Sequence, residues 1–309
     1  MHSDDFPFDV IIANDNICTL ASNYVQTMEE EKLLGFANDY EDSVWREKLF
    51  IEKIMDYLPL SALTAEERSK CQQKHFTLTK RAVNNLRCCA NSTRDSSGEM
   101  GEILLYGIMQ YYFHAAESVP KIFYKQNRNN LVTGADSIHI VVEDNDFSFW
   151  LGEAKFYEDI KQAMSRAVSS VKDMLDKEKL SKEKSYISGL HELRSCPSLS
   201  KYLPEIENIL SGYSSVDNFR KKLHIPILLV CEDEEVKKAQ ELNEELRQKL
   251  RNNYIQSALE FFEKLKLSLV EAMQLCKGVK FHLILFPVPD IKKLNTEFAD
   301  IKNFFTRHA

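Results

Sequence analysis

The chain is most tightly constrained over residues 134–157. There a symmetric turn, Glu143-Asp144-Asn145-Asp146, separates two runs of alternating character. Counting outward from a hairpin centred between Asp144 and Asn145, Glu143 meets Asp146, Ser137 meets Gly152 and Asp136 meets Glu153. Side chains two apart on a strand share a face. Asp136, Ile138, Ile140 and Val142 therefore point one way, and Phe149, Leu151, Glu153 and Lys155 join them from the second strand. Gly134 and Gly152 closely precede the two acids.

Directly opposed Cβ atoms lie about 4.5–5.5 Å apart. Two carboxylates at that spacing on an apolar face repel each other and lose hydration. A hard cation held through oxygen removes both problems. Asp136 and Glu153 are thus candidate metal ligands, and Lys155 can steady a phosphate or a water. Glu-x-Lys by itself is common on exposed strands, and Asp136 alone would serve as a turn cap. The metal-site reading rests on shared face, shared register and apolar neighbours together.

With 309 residues the chain has room for one large domain or two modest ones. It has no run of about 18 apolar residues, so no membrane span is expected. Residues 1–5 lack the apolar core of a signal peptide. Seven cysteines without a Cys-x-x-Cys pair argue against a zinc knuckle and fit a reducing cytoplasm. The net charge of −7 argues against a protein that grips nucleic acid unaided, because backbone binding relies on Lys and Arg. A local basic patch or a partner must then supply the grip. There is no Gly-rich phosphate loop and no His-Glu-x-x-His, so no nucleotide-hydrolysing motor is encoded.

Residues 1–95 read as a mainly helical region after a short strand at 9–13. Apolar residues from Val44 to Leu58 recur near helical spacing, and Pro59 is expected to end that helix. Thr64-Ala65-Glu66-Glu67 is a capping-box-like start for a helix running on to residue 89. The polar stretch 91–98 is the best internal boundary and leaves a core at 96–309. That core is expected to contain a buried helix at 99–116, a strand at 122–124, the hairpin and an amphipathic helix at 158–179. A helical insertion follows at 180–222. Residues 224–231 and 279–288 are apolar runs suited to strands buried on both faces. A long helical stretch at about 234–276, broken near Asn252-Asn253, lies between them, and a short helix at 296–305 comes last. The fold class is α/β, a central mixed sheet flanked by helices.

The helix preceding the hairpin opens with Gly98-Glu99-Met100-Gly101-Glu102. Glu99 and Glu102 share a helix face, so spacing leaves both open as a third carboxylate. Favourable placement at a helix N-terminus is sufficient for Glu99, whereas Glu102 lies deeper beside aliphatic residues and is preferred. Lys121, Lys125, Gln162 and Arg166 are candidate substrate contacts, although solvated edges and helix faces account for them as well. His139 alternates onto the face opposite Asp136 and reads as packing.

Glu102, Asp136 and Glu153-Ala154-Lys155, on helix, strand and strand, resemble the PD-(D/E)xK nuclease superfamily. The departure is that Asp136 follows Gly-Ala where the pattern has Pro. More narrowly, Gly101-Glu102-Ile103-Leu104-Leu105-Tyr106, Gly134-Ala135-Asp136-Ser137-Ile138-His139 and Gly152-Glu153-Ala154-Lys155-Phe156-Tyr157 resemble the HamA family, the nuclease subunit of Hachiman anti-phage defence. The resemblance is carried by residues 98–175. It implies a restriction-endonuclease-like core and Mg²⁺-dependent DNA cleavage, with Mn²⁺ as a substitute. It also implies a superfamily 2 helicase partner (HamB) that restrains the nuclease and loads DNA. Asp136, Glu153, the Ala154 carbonyl and Glu102 would serve the metal. A non-catalytic, helicase-docking adaptor and a stand-alone restriction-type endonuclease are the competing expectations.

Overall fold

The computed structural model describes residues 6–71, 74–89, 97–116, 134–188, 193–194 and 196–307. Lys121, Lys125 and the strand expected at 122–124 lie outside them. Eight strands are described: β1 Asp9–Asn16, β2 Glu30–Ala37, β3 Tyr40–Glu41, β4 Val44–Trp45, β5 Ser137–Glu143, β6 Asp146–Tyr157, β7 Leu223–Glu232 and β8 Lys280–Val288. Six of them form one mixed sheet in the order β1-β2-β8-β7-β6-β5. Its centre, β2-β8-β7-β6, is parallel, and β1 and β5 close the two edges antiparallel. The α/β class with a mixed sheet flanked by helices is as expected.

The N-terminal region is less helical than its sequence suggests. β2 comes from Glu30-Glu31-Lys32-Leu33-Leu34-Gly35-Phe36-Ala37, where the apolar run is too short to reveal a period. It becomes a strand by pairing with β8 on one side and β1 on the other. The rings of Phe8 and Phe50 pack on Phe286 of β8 at 4.8 and 5.4 Å, so this region shares its core with the later strands.

The helices in chain order are α1 Ile17–Leu20, α2 Glu47–Ala62, α3 Ala65–Ser69, α4 His75–Cys89, α5 Ser97–Tyr111, α6 Ile160–Met174, α7 Lys177–Ser188, α8 Leu203–Leu210, α9 Val216–Arg220, α10 Glu234–Lys238, α11 Glu244–Ser268 and α12 Ile291–Arg307. Pro59 does not stop α2, which continues to Ala62. Its neighbours Leu58, Ser61 and Ala62 are buried, and that packing offsets the backbone bond lost to proline. The Thr64 capping box forms, with Glu67 N–H donating to Thr64 Oγ1 and Thr64 N–H to Glu67 Oε2. The helix it opens ends at Ser69, and α4 starts afresh at His75.

The helical stretch expected at 234–276 breaks elsewhere. The interruption falls after Lys238, and Asn243 caps α11 by accepting from Leu246 N–H at 3.0 Å. Asn252 and Asn253 lie inside α11 without breaking it, because Leu250, Tyr254, Ala258 and Phe261 anchor that helix in the core. The last helix begins earlier than expected, at Ile291.

Candidate active site

The hairpin closes in the register counted from its turn. Glu143 pairs with Asp146 and Ser137 with Gly152. Asp144 and Asn145 both take positive φ (50° and 61°), as a two-residue hairpin turn of matching twist requires. Beyond Ser137 the regular ladder ends. Asp136 N–H donates to the Gly152 carbonyl at 2.7 Å, and the Asp136 carboxylate accepts from Ala154 N–H at 3.1 Å. Asp136 is thus tied to both chain neighbours of Glu153.

Glu153 is 4% exposed, and the Lys155 ammonium donates to its Oε1. Burial is the main cause pushing the Glu153 carboxyl up to about 7, and the charge of Asp136 adds to it. Lys155 and the Ser170 hydroxyl pull the other way and do not win. For Lys155, burial works against the ammonium, but Glu153 and then Asp136 outweigh it, so its pKa is raised. The pair therefore differs from a surface ion pair: its lysine stays charged, while its acid can hold or release a proton near neutrality.

Local backbone needs explain the two glycines. Gly134 has φ +150°, and a Cβ there would collide with the Glu183 carboxylate of α7. A Cβ on Gly152 would fall 2.2 Å from Ser137 Oγ and 2.7 Å from Leu105 Cδ2 of α5. This close approach seats α5 on the face opposite Glu153. The same face carries Ala154, whose Cβ lies 3.4 Å from the position a Cβ on Gly101 would take.

Glu102 is partly buried beside Gly101 on that helix. Glu99 is held by an ion pair to Lys302 of α12. Gln162 and Arg166 are exposed on α6. Gln162 lines an open groove of about 790 Å³ at the C-terminal end of β6, together with Lys155, Glu158 and Lys292. Arg166 is not among the residues lining that groove. His139 is fully buried against the Tyr106 ring at 4.8 Å, as its strand parity predicts.

Two further residues touch the site and had escaped sequence reasoning. Ser170 reaches Glu153 from α6, and its spacing from the buried Ala163 and Ala167 could have placed it on the inner stripe. Glu183 backs Gly134 from α7, and no sequence signal points to it.

Among the described residues, no group of three or more His, Cys, Asp and Glu gathers as a metal cage. The oxygen donors of Asp136 and Glu153 nonetheless suit a hard cation, which is often held by one or two carboxylates and completed by waters and substrate phosphate. No described helix is long and apolar enough to cross a membrane. No curated protein matches the chain. The family model for HamA matches residues 12–301, a span that runs from β1 through the hairpin into α12. The chain therefore belongs to the HamA family of Hachiman anti-phage defence.

Proposed function

We propose that this protein is the nuclease effector of a Hachiman complex. It would be a Mg²⁺-dependent deoxyribonuclease with a PD-(D/E)xK core, restrained and supplied with DNA by a HamB-type superfamily 2 helicase in the cytoplasm. One observation carries the reading: Asp136 is bonded to both neighbours of Glu153, and Lys155 is paired to Glu153 itself. Asp136, Glu153 and the Ala154 carbonyl would hold the cation, with Mn²⁺ able to replace Mg²⁺, and Glu102 would hold or orient a nearby water. When bound, the metal lowers the pKa of water and stabilises charge on the phosphate. Lys155 positions the attacking water or balances that charge.

The groove walled by Lys155 and Gln162 would take the backbone of a DNA strand past Lys155. Arg166, and Lys121 and Lys125 outside the described residues, remain candidate phosphate contacts. The net charge of −7 supports delegation of DNA capture to the helicase. The test is plasmid cleavage in Mg²⁺, with and without the helicase, by wild type, Glu153→Ala and Lys155→Ala. Wild type with its partner cleaves, and both variants lose cleavage while still binding the helicase. Undiminished cleavage in both variants would sink the assignment. No cleavage by wild type under any of these conditions would favour the docking-adaptor reading.

A further inference from the structure

A second cavity, of about 690 Å³, opens between α7, the 211–215 turn, α9 and the 3₁₀ segment Val270–Cys276. Its wall contains two cations that proteins rarely bury without a partner: Lys184 and Arg220, each 5% exposed. Arg220 Nη1 donates to Asp217 at 2.8 Å. Its Nε and Nη2 are also buried, and neither meets an acceptor among the described residues. Lys184 donates to the Ser214 carbonyl, which engages one of its three N–H groups. Lys177 stands at the rim, so among the described residues the wall carries three cations against the single carboxylate of Asp217.

Unmet donors on a buried guanidinium are costly and call for an acceptor. The Nε and Nη2 pair is the edge of arginine that grips two oxygens of one anion. A carboxylate would place both oxygens on that fork and keep only about two lone-pair sites for Lys184 and the serines of α7. A phosphate group has enough oxygens for all of them. The cavity also exceeds what inorganic phosphate needs, and Leu210, Val216 and Leu275 give it an apolar side.

We propose that this cavity binds a phosphate-bearing anion, with Arg220 as the fork and Lys184 and Lys177 as supporting cations. The site is separate from the acid–acid–lysine set and does not depend on nuclease activity. It shares a wall with it, however: α7 carries Lys184 into the cavity, and the adjacent Glu183 backs Gly134, two residues before Asp136.

Inorganic phosphate and AMP, each titrated into the full chain against chloride of matched ionic strength, test the proposal by thermal shift and calorimetry. Binding raises the unfolding midpoint by a few degrees, because a ligand that prefers the native state stabilises it by mass action. Response to both probes points to the phosphate group alone, and response to AMP alone points to a nucleotide; either outcome supports the site. Arg220→Gln abolishes the shift, and Lys177→Ala, at an exposed position, weakens binding several-fold. Should Arg220→Gln fail to fold, Lys177→Ala and Ser185→Ala carry the comparison. Wild type that responds to neither probe, or variants that respond as wild type does, would overturn the proposal.

Discussion

The carboxylate of Asp136 accepts a hydrogen bond from the backbone N–H of Ala154, the residue that separates Glu153 from Lys155. One acid is thereby fixed by main chain while the other is held by a lysine. The two carboxylates keep a set separation without depending on side-chain rotamers alone, which is the preorganisation a cation site needs.

Replacing Glu153 with Gln should reduce DNA cleavage by on the order of 100-fold or more, as expected when a group acting on transition-state charge is lost. The fold should survive. Glu153 is pushed up to about 7 by burial, so its neutral form is already well populated at neutral pH, and Gln mimics that form. Cleavage rates and far-UV circular dichroism measured on the same preparation check both halves.

Mg²⁺ should raise the unfolding midpoint of wild type and leave that of Glu153→Gln nearly unmoved. A cation that binds the native pair stabilises it by mass action, and removing one of two carboxylates takes away the charge that attracts it. Differential scanning fluorimetry across a Mg²⁺ titration, with EDTA as reference, measures the difference. Equal shifts in both proteins would place the metal elsewhere.

His139 makes stability fall in acid. Burial holds its imidazole neutral and lowers its pKa from 6.5 to about 3. The unfolded chain therefore binds the proton first, and the stabilisation, full above pH 6.5, is lost as pH falls toward 3. At pH 5 the loss is about 2 kcal/mol. Burial lowers the pKa of His224 and His282 in the same direction. Urea unfolding at pH 7 and pH 5 should show a smaller acid loss in His139→Phe, by about that amount. An identical loss in both proteins would show that His139 is not the group responsible.

Gly152→Ala should destabilise the protein by about 1–3 kcal/mol, the usual cost of overpacking. The added methyl would meet Ser137 and Leu105, so α5 must shift away from the hairpin. Leu105→Ala opens the space again and should recover part of the loss in the double variant. A double-mutant cycle in urea tests that coupling.

The hairpin was legible because its evidence is local. Turn chemistry and period-2 alternation fix the ladder from Glu143–Asp146 to Ser137–Gly152 without reference to the rest of the chain, whereas at Asp136, one step further, the pairing becomes irregular. β7 and β8 were legible as apolar runs. β2 was not, since Leu33-Leu34-Gly35-Phe36 acquires its strand character by pairing with β8 and β1. The ends of α2 and α11 were misplaced for a related reason. Burial around Pro59 and around Asn252-Asn253 overrides the local preference of proline and asparagine. Ser170 and Glu183 reach the site from separate helices, and their positions depend on how those helices dock.

The pairing of β2 with β8 also orders events in time. Glu30 of β2 lies beside Lys280 of β8, so on a ribosome the early strand waits through the synthesis of about 250 intervening residues before its neighbour emerges. Until then β7 also lacks β8 as a flank, and the hairpin belongs to an unfinished sheet. The hairpin and its Asp136, Glu153 and Lys155 would thus settle into their final sheet only after β8 has emerged.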